Sequence, residues 1–168
     1  FVLAGGPRSR LLRLLREGQQ TAAHAELAML REAFGSALHV ELTRHLRPGD
    51  PQRCCALAAL ARQLDVPAVA TNDVHFHHCH RKKVHDVLTC IRRNMTLQQA
   101  GRALLPNAER CLKSPAQMAQ LFADMPEVVQ RTVQIAQQCS LSLQQLAYRY
   151  PPESVPPEET ADSHLARL

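Results

Sequence analysis

Asp73 and His75 stand two positions apart in Thr71-Asn72-Asp73-Val74-His75-Phe76, directly after the short apolar run from Val66 to Thr71. A carboxylate and an imidazole are side chains that ligate zinc, manganese or iron near neutral pH. If the apolar run is a strand, residues two apart point to the same side, so both donors face one way. The C-terminal ends of parallel strands are also where the sites of β/α barrels collect. Two ligands do not complete a metal site, and the others must come from elsewhere. The spacing has a plainer reading too, in which Asp73 caps a helix and His75 faces solvent. His77, His78 and His80 follow in a loop or first helical turn and read as solvent-facing. His85 either faces the site or lies at a helix surface. Glu41 points into an interior or pairs with Arg44 or a neighbouring Lys.

The elements that must position these residues are legible in the pattern. Leu11, Leu12, Leu14 and Leu15 fall at helical spacing within 7–17, and Gly18 is a C-terminal stop. Ala23, Leu27, Leu30 and Phe34 form a stripe that predicts a helix over 21–34, ended by Gly35. Leu38-His39-Val40-Glu41-Leu42 alternates with period two, the pattern of a strand with one covered face. After the turn residues Pro48-Gly49, Asp50 reads as an N-cap with Pro51 at the first helical position, opening an Ala- and Leu-rich helix to about Leu64. Val66 to Thr71 is the next strand, with Pro67 near its start. Helix, strand, helix, strand is the rhythm of an α/β sheet or barrel with parallel strands.

No further strand is expected after Phe76. A helix over 80–93 puts Val84, Val87, Leu88 and Ile91 on one face, and a short turn runs over 96–102. The stretch 104–112 is irregular. Ser114 caps a helix with Pro115 in its first turn, and another helix runs from Pro126 to Cys139. Tyr148-Arg149-Tyr150-Pro151-Pro152 and Val155-Pro156-Pro157 read as an extended proline-rich linker, after which Asp162 or Ser163 begins a new element.

Composition narrows the classes. The chain has 168 residues, 45% apolar and 21% charged, the balance of one folded domain. Aromatics are 4% and Trp is absent, which argues against a base-stacking module. The net charge of +5 permits contact with nucleic acid without requiring it. Arg8, Arg10, Arg13 and Arg16, and the run Arg81-Lys82-Lys83, either touch phosphates or are solvated helix faces. No apolar run reaches the roughly 18 residues of a membrane span. The six cysteines form no C-x-x-C pair and read as free thiols, small buried hydrophobes in a reducing cytoplasm. The chain opens on Phe1 with neither an initiator Met nor a signal-peptide pattern, and reads as a piece of something larger.

Val69-Ala70-Thr71-Asn72-Asp73-Val74-His75-Phe76 resembles the PHP domain of bacterial DNA polymerase III alpha-type polymerases. Val40-Glu41-Leu42-Thr43-Arg44-His45, Asp86-Val87-Leu88-Thr89-Cys90-Ile91-Arg92, Pro106-Asn107-Ala108-Glu109-Arg110, Leu112-Lys113-Ser114-Pro115 and Tyr148-Arg149-Tyr150-Pro151 follow in the family's order. Arg44-His45-Leu46-Arg47-Pro48-Gly49-Asp50, with the Leu-Thr-Cys-Ile-Arg and Pro-Asn-Ala-Glu-Arg segments, is most like the error-prone, translesion branch.

The resemblance implies an α/β fold: the C-terminal portion of a distorted PHP-type β/α barrel over 1–149, then helices and a proline-rich linker leading into the polymerase palm over 150–168. It implies that Asp73 and His75 match the family's late D-x-H motif and bind zinc or manganese. The earlier ligands would precede Phe1, and the palm carboxylates with their magnesium would follow Leu168, so no catalytic residue falls in this chain. The implied partners are a DNA primer-template, deoxynucleotides and other repair-polymerase components. The implied location is the cytoplasm, away from membranes. Two alternatives stay open: a stand-alone PHP phosphoesterase of the histidinol-phosphatase kind, and a structural module without metal.

Overall fold

The computed structural model describes residues 1–146 and 155–167, which fall into two compact units, Phe1–Gln138 and Cys139–Leu168. The expected boundary between residues 149 and 150, and the Tyr148 to Pro152 part of the expected linker, lie outside the described residues.

The first unit is built on three parallel strands in the order β1 (Val2–Ala4), β2 (Leu38–Thr43), β3 (Ala68–Thr71). Between β1 and β2 come α1 (Arg10–Arg16) and α2 (Gln20–Phe34). Ser9 Oγ accepts from Leu12 N at 3.1 Å and so satisfies one of the free donors at the start of α1. Gly35, at φ 51°, ends α2 in a conformation that costs other residues strain. Leu11, Leu12 and Leu14 of α1 and Ala23 and Leu27 of α2 are buried in the core. Full burial of a Leu contributes about 1.5–3 kcal/mol relative to leaving it in water.

Strand β2 departs from its alternating pattern. Only Glu41 is partly exposed; Leu38, His39, Val40, Leu42 and Thr43 are all buried. The strand is central, flanked by β1 and β3; α2 and α3 pack on it, and the Phe1 ring meets His39 edge to face at 5.4 Å. Strand β1 carries no periodic signal because three residues are too few to show one.

Helix α3 (Asp50–Gln63) packs on β2 through Cys54, Leu57, Ala58, Leu60 and Ala61. Its N-cap is Gly49, at φ 83°, and not Asp50 as the sequence suggests. The Asp50 carboxylate turns back to accept from His45 N at 2.6 Å and Arg47 N at 3.2 Å. It therefore holds the preceding turn instead of the free N–H groups of its own helix.

Beyond β3 the described residues add helices and one isolated parallel bridge, Phe76 to Cys111. Helix α4 (Lys82–Arg93) follows a single 3-10 turn at Cys79–Arg81. Its apolar stripe does not face the core: Val84, Val87, Leu88 and Ile91 are exposed, and its buried residues are Thr89 and Cys90. Helix α5 (Leu97–Ala100) is closed by a capping box of Thr96 and Gln99, and α6 (Pro115–Leu121) by one of Ser114 and Gln117. Helix α7 (Pro126–Gln138) packs against β3 and buries Val128. Phe122, between α6 and α7, is fully buried.

The three strands form an open sheet, a mixed α/β arrangement as expected; the described strands do not close into a barrel. The second unit, taken alone, contains a 3-10 turn at Leu143–Gln145 and α8 (Ala161–Arg167), where the expected new element begins. Glu159 pairs with His164 at 2.7 Å and with Arg167 at 3.0 Å across the start of that helix.

Candidate functional site

Strand β3 ends at Thr71, and the two residues after it turn the chain. Asn72 is buried, and its Nδ2 donates to the carbonyls of Glu109 at 2.8 Å and Cys111 at 2.6 Å. His75 N donates to Arg110 O at 2.9 Å, and Leu112 N to Phe76 O at 3.2 Å. Asn107 Nδ2 donates to His45 O at 2.6 Å and ties the same segment to the end of β2. These bonds hold the irregular 107–112 segment across the ends of β2 and β3, and so place Arg110 beside Asp73.

Asp73 and His75 do meet, but not by strand alternation. Asp73 has φ 42°, a left-handed conformation that Asp tolerates better than most residues. The turn brings Asp73 Oδ1 within 3.3 Å of His75 Nε2. Arg110 pairs with the other carboxylate oxygen, and its Nη1 is 3.4 Å from His75 Nε2. On the far side of the ring, His75 Nδ1 lies 3.3 Å from His85 Nε2, and the two rings meet edge to face at 5.3 Å. His85 thus joins the site from α4. Burial first, and the neighbouring His75 second, hold the His85 imidazole below its ordinary pKa.

These residues line a cavity of about 590 Å³, which also takes in Glu41, Arg8, Arg92 and Arg93. Glu41 reaches it from β2, its Oε1 accepting from Thr71 Oγ1 at 2.5 Å. It pairs with neither Arg44 nor a Lys; Arg44 is engaged with Asp124. A Cβ on Gly6 would stand 2.6 Å from Glu41 Oε2, so the bare backbone there leaves room for that carboxylate. Four guanidinium groups against two carboxylates give the cavity an excess of positive charge that suits an anionic ligand.

The donor set for a metal is incomplete. Asp73 and His75 supply one carboxylate and one imidazole, and no three His, Cys, Asp or Glu side chains gather to hold a metal ion among the described residues. A guanidinium already neutralises Asp73. The residues present do not by themselves fit a bound metal.

His77, His78 and His80 lie outside this constellation, exposed and resting on one another at ring separations of 5.5 and 5.2 Å. Of the basic groups noted in the sequence, Arg8 lines the cavity while Lys82 pairs with Asp86 at 2.6 Å. The six cysteines are free; Cys54, Cys90 and Cys111 are buried as expected, but Cys55, Cys79 and Cys139 are exposed. No helix among the described residues is long and apolar enough to cross a membrane.

Sequence reasoning left Arg110 without a role. Its position in Pro106-Asn107-Ala108-Glu109-Arg110 carries no periodicity, and only the partners of Asn72 and Asn107 show why that segment is where it is.

The molecule is therefore a mixed α/β protein with a basic, carboxylate-bearing cavity at the ends of its parallel strands. Its curated relatives include proteins named error-prone DNA polymerase. One from Rhodopseudomonas palustris strain BisA53 is 39% identical over 163 residues, 95% of this chain and 14% of that protein. One from strain CGA009 of the same species is 44% identical over 142 residues, 84% of this chain and 12% of that protein. Error-prone DNA polymerase 1 of Agrobacterium fabrum is 39% identical over 142 residues, 84% of this chain and 13% of that protein. The chain thus spans only a small part of the length of the relatives it matches. No family model matches the chain.

Proposed function

We propose that this chain is a segment of an error-prone DNA polymerase of the alpha type, from the second half of its PHP-type domain. The observation that carries the reading is the identity of 39–44% running through 84–95% of the chain to proteins of that name. The parent protein carries out template-directed DNA synthesis past lesions in damage repair, using primer-template DNA and deoxynucleotides together with other repair-polymerase components in the cytoplasm. Nucleotide transfer, with its magnesium, belongs to a palm outside these residues. The three-stranded sheet is part of a larger β/α barrel. A stand-alone phosphoesterase is the weaker reading, because the relatives are named as DNA polymerases.

Within that reading, Asp73 and His75 supply two donors to a zinc or manganese ion in the whole protein, with the remaining ligands from outside this chain. A second reading is favoured by the Arg110–Asp73 pair: a guanidinium already balances the Asp73 carboxylate, and the site is structural. The positive excess in the cavity supports an anionic, phosphate-bearing ligand in either case.

The test has two parts. The full-length protein should extend a primer past a template lesion, and this chain alone should not; extension by the chain alone would place catalytic residues within it. Elemental analysis of the full-length protein should find stoichiometric zinc or manganese that Asp73→Ala and His75→Ala lose and His77→Ala keeps. A parent without stoichiometric metal establishes the structural reading.

A further inference from the structure

Cys79 and Cys111 come from distant parts of the chain, and their Sγ atoms are 2.8 Å apart. Both are free thiols; Cys79 is exposed and Cys111 is buried. The contact is not an accident of two mobile side chains. The backbones that carry them are stitched together by the Phe76–Cys111 bridge, by Leu112 N donating to Phe76 O, and by Asn72 donating to Cys111 O. Closing the sulfurs to the ~2.05 Å of a disulfide needs less than an ångström of movement.

We propose that Cys79 and Cys111 form a reversible intramolecular disulfide when the protein meets a hydroperoxide. The Cys79 thiolate, reached from solvent, attacks the peroxide O–O bond. The S–O bond forms, the O–O bond breaks, and hydroxide leaves to take up a proton as water. The Cys111 sulfur then attacks the Cys79 sulfenic acid, the S–S bond forms, and a second water departs with the Cys111 proton. In sum, two thiols and hydrogen peroxide give one disulfide and two waters, with each sulfur giving up one electron. Burial raises the pKa of the Cys111 thiol, which keeps it from being the first to react and leaves it as the resolving partner. Lys113 Nζ, 4.0 Å from Cys111 Sγ, offsets part of that burial in the resolving step.

The bond would clip the loop that carries His75 to the segment that carries Arg110. It would close the excursion through α4 and α5 into a covalent ring. In a reducing compartment such a bond is transient, the usual behaviour of a redox-sensing pair. The inference rests on the thiol geometry alone and holds whichever reading of the parent protein is right.

The test is peptide mapping of the full-length protein. It is exposed to hydrogen peroxide under native conditions, blocked with an alkylating agent and digested without reductant. A peptide joining Cys79 to Cys111 is expected, lost on treatment with dithiothreitol, while alkylation of these two thiols falls about tenfold against that of exposed Cys55 and Cys139. Cys79→Ser and Cys111→Ser should each abolish that peptide. The oxidised protein should be cut more slowly by protease between residues 80 and 110. Because the mapping needs only the unmutated protein, a variant that fails to fold leaves the test intact. Cys79 oxidised to sulfinic acid without a link, or Cys79 linked mainly to Cys55 or Cys139, would overturn the proposal.

Discussion

The guanidinium of Arg110 pairs with the carboxylate of Asp73 and brings its Nη1 within 3.4 Å of His75 Nε2. Arg110 is mostly shielded from solvent and Asp73 is about one-third exposed, so the pair is worth more than a surface ion pair and less than a buried one. A double-mutant cycle of Asp73→Asn and Arg110→Gln should give a coupling of about 1–2 kcal/mol in denaturant titrations. Additive single changes would show that the two groups do not support each other. His77→Ala and His78→Ala, at exposed positions, should each stay within about 0.5 kcal/mol of the parent.

Arg44 anchors the end of β2 to the turn between α6 and α7. Its Nη1 and Nη2 donate to Asp124 Oδ1 at 2.6 Å and Oδ2 at 2.8 Å, Nη1 also donates to Leu121 O at 2.8 Å, and its guanidinium lies 4.8 Å from the centre of the Phe122 ring. The Arg44 hydrogen bonds hold the Asp124 carboxyl below the ordinary range. Lysine offers neither the planar fork nor the stacking face, so Arg44→Lys should cost roughly 1–3 kcal/mol in spite of the kept charge. A thermal melt that does not shift for Arg44→Lys would mean that the fork geometry contributes nothing.

Asp50 is a carboxylate buried to 2% exposure, held by His45 N, Arg47 N and Arg53 Nη2 at 2.6, 3.2 and 2.6 Å. Burial pushes its pKa up, but the two backbone donors and Arg53 outweigh that and hold it below the ordinary value. A folded-state pKa below the unfolded one means that this stabilisation is complete above the unfolded value of about 3.9 and is lost as pH falls through the folded value. Asp50→Ala strands three donors and should cost about 3 kcal/mol near neutrality. Its deficit against the parent should shrink as the solution is acidified below that range; a deficit independent of pH would show that the carboxylate charge is irrelevant.

His45 is buried, and its Nε2 lies 3.0 Å from Asn72 O, so that nitrogen carries the proton of the neutral ring. Burial lowers its pKa, against a smaller raising effect of the Asn72 bond. The unfolded chain therefore binds a proton that the folded chain refuses. Stability from this group is full above the unfolded pKa of about 6.5 and declines as pH falls from there towards the folded value. His45→Gln keeps a donor for Asn72 O and removes the titration. The slope of unfolding free energy just below about pH 6.5 should flatten in that variant. An unchanged slope would assign the dependence to another group.

The secondary structure was written in short-range signals. The apolar stripes of α1 and α2, the cap of α6 at Ser114, and the two longer strands each depend on residues within a few positions of one another, so the sequence alone determined them. It also determined that Asp73 and His75 follow the end of a strand. Strand β1 was illegible because pairing with β2, and not its own three residues, makes it a strand. The apolar stripe of α4 was legible as a stripe, but which side of a helix meets the core depends on its neighbours, and here the exposed face is the apolar one. The site lay further still from the sequence. Asp73 meets His75 through a left-handed turn, His85 arrives from a helix, and Arg110 arrives on a segment with no periodicity, held by the side-chain amides of Asn72 and Asn107. Residue type and spacing can state which groups are able to do chemistry. Which of them meet is decided by hydrogen bonds between segments far apart in the chain, and only the tertiary structure supplies those.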